Sequence, residues 1–257
     1  MLRIVNATRY VLPLREGGSL PAIVEADDLG MYVVKFRGAG QGVRALIAEL
    51  IAGEIGRVLG LRVPEIVLVN LDPALGRNEP DYEIRQLLKA SPGTNLGLDY
   101  LPGSAMFDPA AGDRADPDEA SRLVWLDAFT MNVDRTPRNA NLLVWHGKLY
   151  PIDHGAALYF HHDWESREAK VSSPFTQIGE HVLLPWAAQV AEAGEKARDV
   201  LTRERLETIV GLAPDEWLEP MGAAAEIRAG YVEFLESRLS AWRIFEQEAQ
   251  DARARLI

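Results

Sequence analysis

Asn132-Val133-Asp134-Arg135-Thr136-Pro137-Arg138-Asn139-Ala140-Asn141-Leu142-Leu143-Val144, followed a little further on by Leu149-Tyr150-Pro151-Ile152-Asp153-His154-Gly155, is the stretch on which the fold of this chain turns. An acid, a polar loop and a carboxamide lead into a short apolar strand, and a second acid stands before His-Gly at the end of the next one. In phosphoryl transfer a loop carboxylate orients or deprotonates the attacking hydroxyl, and an Asn a few residues on helps hold a metal against the phosphates. Asp134 and Asn141 fit those positions. Asp, Asn, Arg and Pro are also ordinary turn residues, so the loop read alone equally suits a polar connection between a helix and a strand.

The second acid raises the odds of chemistry. Protein kinases carry a metal-binding Asp, followed after one residue by Gly, on the hairpin arm beyond the catalytic loop. Asp153 occupies that position, and both acids occur in the required order. Such an enzyme also needs an upstream Lys that reaches the nucleotide phosphates and a helix Glu that holds the Lys. Lys35 ends the apolar run Met31-Tyr32-Val33-Val34, and Glu49 lies in the following helical segment, with Glu54 as the alternative partner. A Lys flanked by Val34 and Phe36 on a buried strand demands a counter-charge, although a Lys at a strand edge also snorkels to water. Between the first strands, Gly17-Gly18-Ser19 offers a turn whose backbone approaches a phosphate, or simply a hairpin. A second Gly-rich run, Arg37 to Gly42, precedes the helix and suits either anion binding at a helix N-terminus or a linker.

Working outward, Ala22-Ile23-Val24-Glu25 and Met31 to Phe36 read as antiparallel strands separated by Gly and Asp turn signals. Apolar residues at three- and four-residue steps predict a helix over 43–59, ended by Gly60. Strands are expected at 64–69 and 82–88. The Gly-, Pro- and Asp-dense stretch 91–118 reads as a connector, which divides the chain into a β-rich lobe with one helix over 1–90 and a mostly helical lobe over 91–257. Beyond it a helix is expected at 119–132, a hairpin at 142–152 around His146-Gly147, and helices over 178–255. Ile227, Tyr231, Phe234, Leu235, Leu239, Trp242 and Phe245 mark one packed face near the end. The fold class is α+β and bilobal.

Composition narrows the chemistry. The chain has 257 residues, no cysteine and a net charge of −11. Disulfides, thiolate catalysis and cysteine-based metal sites are thereby excluded. The acidity opposes nucleic acid as a partner, because such binding rests on neutralising phosphates with Lys and Arg, but it does not exclude ATP, which needs only a few local cations. No apolar run has the length of a membrane span and no basic-then-apolar leader opens the sequence, so the expectation is a cytoplasmic protein without membrane contacts. His161, His162 and Asp163 invite a metal-site reading, but adjacent histidines project differently and no spaced third ligand accompanies them.

Taken in order, Gly17-Gly18-Ser19-Leu20-Pro21, Val34-Lys35-Phe36, Gln41-Gly42, Glu49, the Asn132-to-Asn141 loop and Ile152-Asp153-His154-Gly155 resemble the HipA-like kinases, specifically their short stand-alone members. The resemblance implies a bilobal protein-kinase-like fold with ATP between the lobes. It implies Lys35 on the phosphates, Asp134 as the catalytic carboxylate, and Asn141 and Asp153 on magnesium. The usual protein-kinase loop begins His-Arg-Asp, whereas Asn132-Val133-Asp134-Arg135 is closer to the phosphoinositide-kinase and HipA-like pattern. The Asp-to-Asn spacing of protein kinases selects Asn139, while the strand that follows favours Asn141. The acceptor implied is hydroxyl-bearing, with protein Ser or Thr the leading candidate. A catalytically silent nucleotide- or partner-binding module and a small-molecule kinase are the alternatives; the latter lacks its expected His-Gly-Asp signature here.

Overall fold

In the computed structural model, which describes residues 1–14, 20–77 and 79–256, the first strands alternate their side chains between two surfaces with different partners. Strands β1 (Ile4–Pro13), β2 (Ala22–Ala26) and β3 (Met31–Lys35) pair antiparallel in sequence order. Helix α1 (Gly42–Val58) follows, then β4 (Ile66–Leu71), helix α2 (Tyr82–Lys89) and β5 (Gly93–Asp99). The strands close into a barrel in the order β1-β2-β3-β5-β4, with β1 and β4 parallel at the seam. Val24, Tyr32, Val34, Val67 and Val69 fill its interior, whereas Leu96 and Leu98 of β5 turn outward into the larger core that contains α1. This is the period-two alternation of a strand with both faces covered. Gly97 lies between those leucines, where a Cβ would stand 2.6 Å from a Val69 methyl, so the narrow barrel admits no side chain there.

Two expectations are corrected here. Residues 82–88 form a helix, not a strand: Asp81 accepts hydrogen bonds from the Glu83 and Ile84 amides as an N-cap, and Ile84 and Leu88, one helical turn apart, are the buried residues. The β-rich region therefore carries α1 and α2 rather than one helix. The expected connector at 91–118 also begins with a strand, since β5 pairs with both β3 and β4, so a division at residue 90 cuts through this sheet.

The rest is helical around a small antiparallel sheet. Strand β6 (Ala105–Met106) precedes α3 (Pro117–Thr130), and β6 pairs with the hairpin of β7 (Leu142–Trp145) and β8 (Lys148–Pro151). His146 and Gly147, both at positive φ (48° and 70°), make the two-residue turn that suits the twist of a hairpin. Then come α4 (Arg167–Lys170), α5 (Val190–Val200), α6 (Arg203–Val210), α7 (Asp215–Leu218), α8 (Ala224–Ser240) and α9 (Trp242–Ala254). The terminal apolar face read as continuous is broken at Ala241. Tyr231, Phe234 and Leu235 lie buried on α8, and Phe245 on α9 packs against Trp125 and Phe129 of α3. No helix among the described residues is long and apolar enough to cross a membrane.

Helix α3 delivers the chain to the decisive loop, and its end is held by a buried cation. Arg238 of α8 is fully buried; its Nε donates to the Phe129 carbonyl (2.8 Å), Nη2 to Ala128 (2.7 Å) and Nη1 to Val171 and Ser173 (both 3.0 Å). Helix ends leave carbonyls without intrahelical partners, and this side chain meets them. Burial lowers its pKa to about 9. Replacing Arg238 with Met should lower the unfolding free energy by about 3 kcal/mol, because several buried carbonyls lose their donors. Urea denaturation of the variant against the parent chain measures it.

Candidate active site

Strand alternation explains why a lysine is buried. Tyr32 and Val34 enter the barrel, so Lys35 lies on the opposite face, which α1 covers. Its partner in register on β5 is Leu96, itself packed toward α1. Lys35 is 8% exposed, and its Nζ donates to Glu49 Oε2 and to Asp153 Oδ1, each at 2.5 Å. Glu49 is fully buried on the inner face of α1, whereas the Asp153 side chain is 42% exposed. Glu54, the alternative partner, faces Arg57 instead. Gly53 brings this part of α1 close to the sheet and the hairpin, since a Cβ there would meet Ile66 at 2.7 Å and the His154 ring at 3.9 Å.

Two carboxylates share one ammonium, and they are not equivalent. Burial works against the charge of Lys35, but Glu49 and Asp153 outweigh it and raise its pKa. Burial raises the pKa of Glu49, and Lys35 offsets that only in part. For Asp153 burial is outweighed by Lys35, with Arg135 adding to the effect, and its pKa is lowered. Asp153 is thus an ionised, half-exposed carboxylate with Oδ2 still unengaged.

The loop after α3 brings the remaining residues beside it. Met131 caps α3 in the left-handed conformation, and Thr136 and Asn139 exchange backbone hydrogen bonds around Pro137-Arg138. Asp134 accepts from Asn139 Nδ2 through Oδ2 (2.8 Å), while Asn141 Nδ2 donates to the Asp134 carbonyl (2.9 Å). The Ile152 amide donates to the Asn141 carbonyl (3.0 Å), so Asn141 stands opposite the residue preceding Asp153. Asn141 and Asp153 both have positive φ, 48° and 53°. Such backbone costs about 1–3 kcal/mol at a non-glycine residue and collects at functional sites.

The residues predicted to act together are therefore largely adjacent: Lys35, Glu49 and Asp153 in direct contact, and Asn141, Asn139 and Asp134 in one hydrogen-bonded loop. Each asparagine spends its amide nitrogen on Asp134, Asn139 on the carboxylate and Asn141 on the main-chain carbonyl, and each keeps Oδ1 for another partner; Asn141, 4% exposed, is the more deeply buried and lies against the Ile152 backbone. Gly17, Gly18 and Ser19 lie outside the described residues. Gln41 begins α1 without a side-chain cap, and a Cβ at Gly40 or Gly42 would meet nothing within 4 Å, so the backbone there is open.

Beneath the loop lies a network that the sequence reading gave no role. Asp127 of α3, fully buried, accepts from Arg135 Nε, from Asn132 Nδ2 (3.1 Å) and from His181 Nε2 (3.0 Å). The Leu183 amide donates to His181 Nδ1 (3.0 Å), which fixes the proton on Nε2. Arg135, 1% exposed, also donates to the Asn141 carbonyl, to the Ile152 carbonyl (3.2 Å) and to His154 Nδ1 (3.1 Å). A signal existed: Asp127 interrupts the apolar run Leu123-Val124-Trp125-Leu126, and a lone acid there needs a buried partner. His161, also buried, contacts the Tyr231 hydroxyl at 3.0 Å.

The HipA-like kinase family model matches residues 8–244. This chain belongs to the HipA-like kinases. It is therefore a kinase, a phosphotransferase in the coarse sense, as the ordered motifs implied. Among solved structures, the Helicobacter pylori proinflammatory kinase CtkA has a similar fold, with a TM-score of 0.57, 12% sequence identity and 98% of each chain covered. No curated protein matches the sequence.

The buried histidines set a pH dependence. Burial, then the Arg135 charge, lowers the His154 pKa to about 3; burial, then His162 and Arg44, does the same for His161. An unfolded histidine titrates near 6.5, so between about pH 6.5 and 3 the unfolded chain binds protons that the folded chain refuses. Stability should fall as pH drops through that window, by up to roughly 1.4 kcal/mol per pH unit for each histidine kept neutral. Asp127, its pKa lowered by its partners against burial, withdraws its own contribution only in stronger acid. Urea unfolding at pH 7.5, 6 and 4.5 tests this, and His161→Phe should make the slope shallower.

Proposed function

We infer that the chain transfers the γ-phosphoryl group of ATP to a hydroxyl, with protein Ser or Thr as the acceptor, and that magnesium assists. The observation that carries this reading is the contact of Lys35 with Asp153 across 118 residues of sequence, with Glu49 behind the lysine and the Asp134 loop beside it. In kinases a strand lysine paired to a helix glutamate and a metal-binding aspartate meet the phosphates in this manner.

The oxygen donors suit magnesium, which takes one or two carboxylates and completes its shell with water and phosphate. Asp153 and Asn141 Oδ1 would hold it, and among the described residues no cluster of three His, Asp or Glu competes as a self-sufficient metal site. When bound, the ion offsets charge on the phosphate oxygens. The rest falls to the chain. Lys35 binds and orients the phosphates, and Glu49 keeps its ammonium in place. The Asp134 carboxylate, steadied by Asn139, accepts the proton of the attacking hydroxyl or holds that hydroxyl in line. Catalysis of this kind is mostly positioning and electrostatics. The open backbone at Gly40 and Gly42 supports a phosphate approach at the start of α1.

Asp134→Asn should reduce kcat by about a thousandfold with ATP affinity little changed, and Lys35→Met should reduce kcat/KM by roughly a hundredfold or more. Asp153→Asn should abolish the magnesium requirement together with turnover. Incubation with labelled ATP, magnesium and a mixture of protein acceptors reads all three. Tight magnesium-dependent ATP binding with no transfer to any hydroxyl would instead favour a silent nucleotide-binding module.

A further inference from the structure

Arg135 follows Asp134 directly in sequence, yet its side chain is 1% exposed and turns into the interior. Its contacts are not those of a simple packing residue. One edge of the guanidinium meets Asp127 on α3. The other reaches the carbonyl of Asn141, the carbonyl of Ile152 and Nδ1 of His154. Those acceptors belong to Asn141 itself and to the residues on either side of Asp153. The same Asn141 carbonyl also receives the Ile152 amide, so Arg135 closes the pair of backbone segments from which both side chains project. Both segments pass through left-handed backbone at Asn141 and Asp153, a conformation that Asn and Asp tolerate better than other non-glycine residues and that the Arg135 contacts help to hold.

We propose that Arg135 is a positioning residue that fixes Asn141 and Asp153 relative to each other, and so sets the affinity of the site for magnesium bound with ATP. The proposal rests on the reading of those two residues as metal ligands. A planar guanidinium can address acceptors on two sides at once, which a lysine ammonium on a flexible stem cannot do. Residues that orient metal ligands from behind typically change metal affinity by about 10–100-fold when altered. Arg238 supplies the internal comparison: it is equally sealed from water and also binds backbone carbonyls, but those carbonyls lie on α3 and near residues 171–173, away from the metal ligands.

The test is calorimetric titration of ATP into the full chain with and without magnesium, beside thermal unfolding of each variant. The parent chain should bind ATP more tightly with magnesium, and Asp153→Asn should remove that enhancement. Arg135→Lys should lose about tenfold or more of the enhancement and shift half-saturation to higher magnesium, with metal-free ATP affinity within about twofold of the parent. Arg238→Lys should lower Tm yet keep the enhancement. If Arg135→Lys retains the full enhancement while Asp153→Asn abolishes it, the positioning role is overturned and the ligand assignment survives. Failure of magnesium to enhance binding in the parent, or of Asp153→Asn to diminish it, removes the ligand assignment and the role of Arg135 with it. Should Arg135→Lys not fold, the pair Asp127→Asn with Arg135→Gln removes both charges together and enters the same titration with the same outcomes.

Discussion

The charge on Arg135 constrains more of this structure than any apolar contact does. A guanidinium keeps its proton at every ordinary pH, and transferring an ion into an interior costs several kcal/mol unless good partners receive it. Neutralisation is not an escape, as it would be for a buried lysine. Each nitrogen must therefore face an acceptor, and Asp127, two main-chain carbonyls and a histidine nitrogen answer that need. Asp127 carries the requirement onward: its oxygens draw in Asn132 and His181, and the Leu183 amide fixes the His181 tautomer. One charge in this way ties α3, the loop, the end of β8 and the segment near residue 181. Asp134, held between Asn132 and Arg135 in sequence, inherits its position from both neighbours.

Lys35 poses the opposite electrostatic problem. It has more negative charge around it than it can balance, because Glu49 and Asp153 both bind one ammonium. The chain as a whole is acidic as well. A polyphosphate bound at Lys35 would add further negative charge beside Asp153, which Lys35 alone would not balance. On the proposed reading, a divalent ion beside Asp153 would offset that imbalance. Because Asp153 is half-exposed and Glu49 is sealed, the exchange of partners would fall on Asp153, leaving the Lys35 and Glu49 pair undisturbed.

How much of this was legible in the sequence depends on the range over which each feature is determined. Lys35, Glu49 and the Asn132-to-Asn141 loop could be found because strand alternation, helical spacing and polar loop composition are local properties. Helix α1 and the β7–β8 hairpin lie within a residue or so of their expected bounds for the same reason. Tyr82 to Leu88 departs from the strand expected there because Asp81 caps its first turn and Ile84 and Leu88, one helical turn apart, supply its buried face. Strand β5 was hidden by its glycines: Gly93 and Gly97 read as loop punctuation, yet Gly97 is there because the barrel interior leaves no room for a side chain. The Asp127, Arg135, His154 and His181 network is assembled from four separated segments. Its members appear in sequence only as polar residues in apolar or turn-like surroundings, and nothing local pairs them.

The likeness to CtkA at 12% identity bears on which features hold this architecture. At that identity most aligned residues differ, while the fold is similar over 98% of each chain. Apolar packing accommodates such drift, since volume-conserving exchanges usually cost less than about 1.5 kcal/mol each and neighbours repack. A buried ion lacks that tolerance, because removing one partner leaves the other charged, desolvated and unpaired, at a cost of about 3–5 kcal/mol. Within this chain the freedom to change is therefore unevenly distributed. Phe129 and Phe245 can exchange one apolar group for another of similar volume, whereas Trp125 also donates its indole N–H to buried Glu246. Asp127 and Arg135 can lose their charges only together, and any replacement must still satisfy the carbonyls of Asn141 and Ile152 that Arg135 now holds.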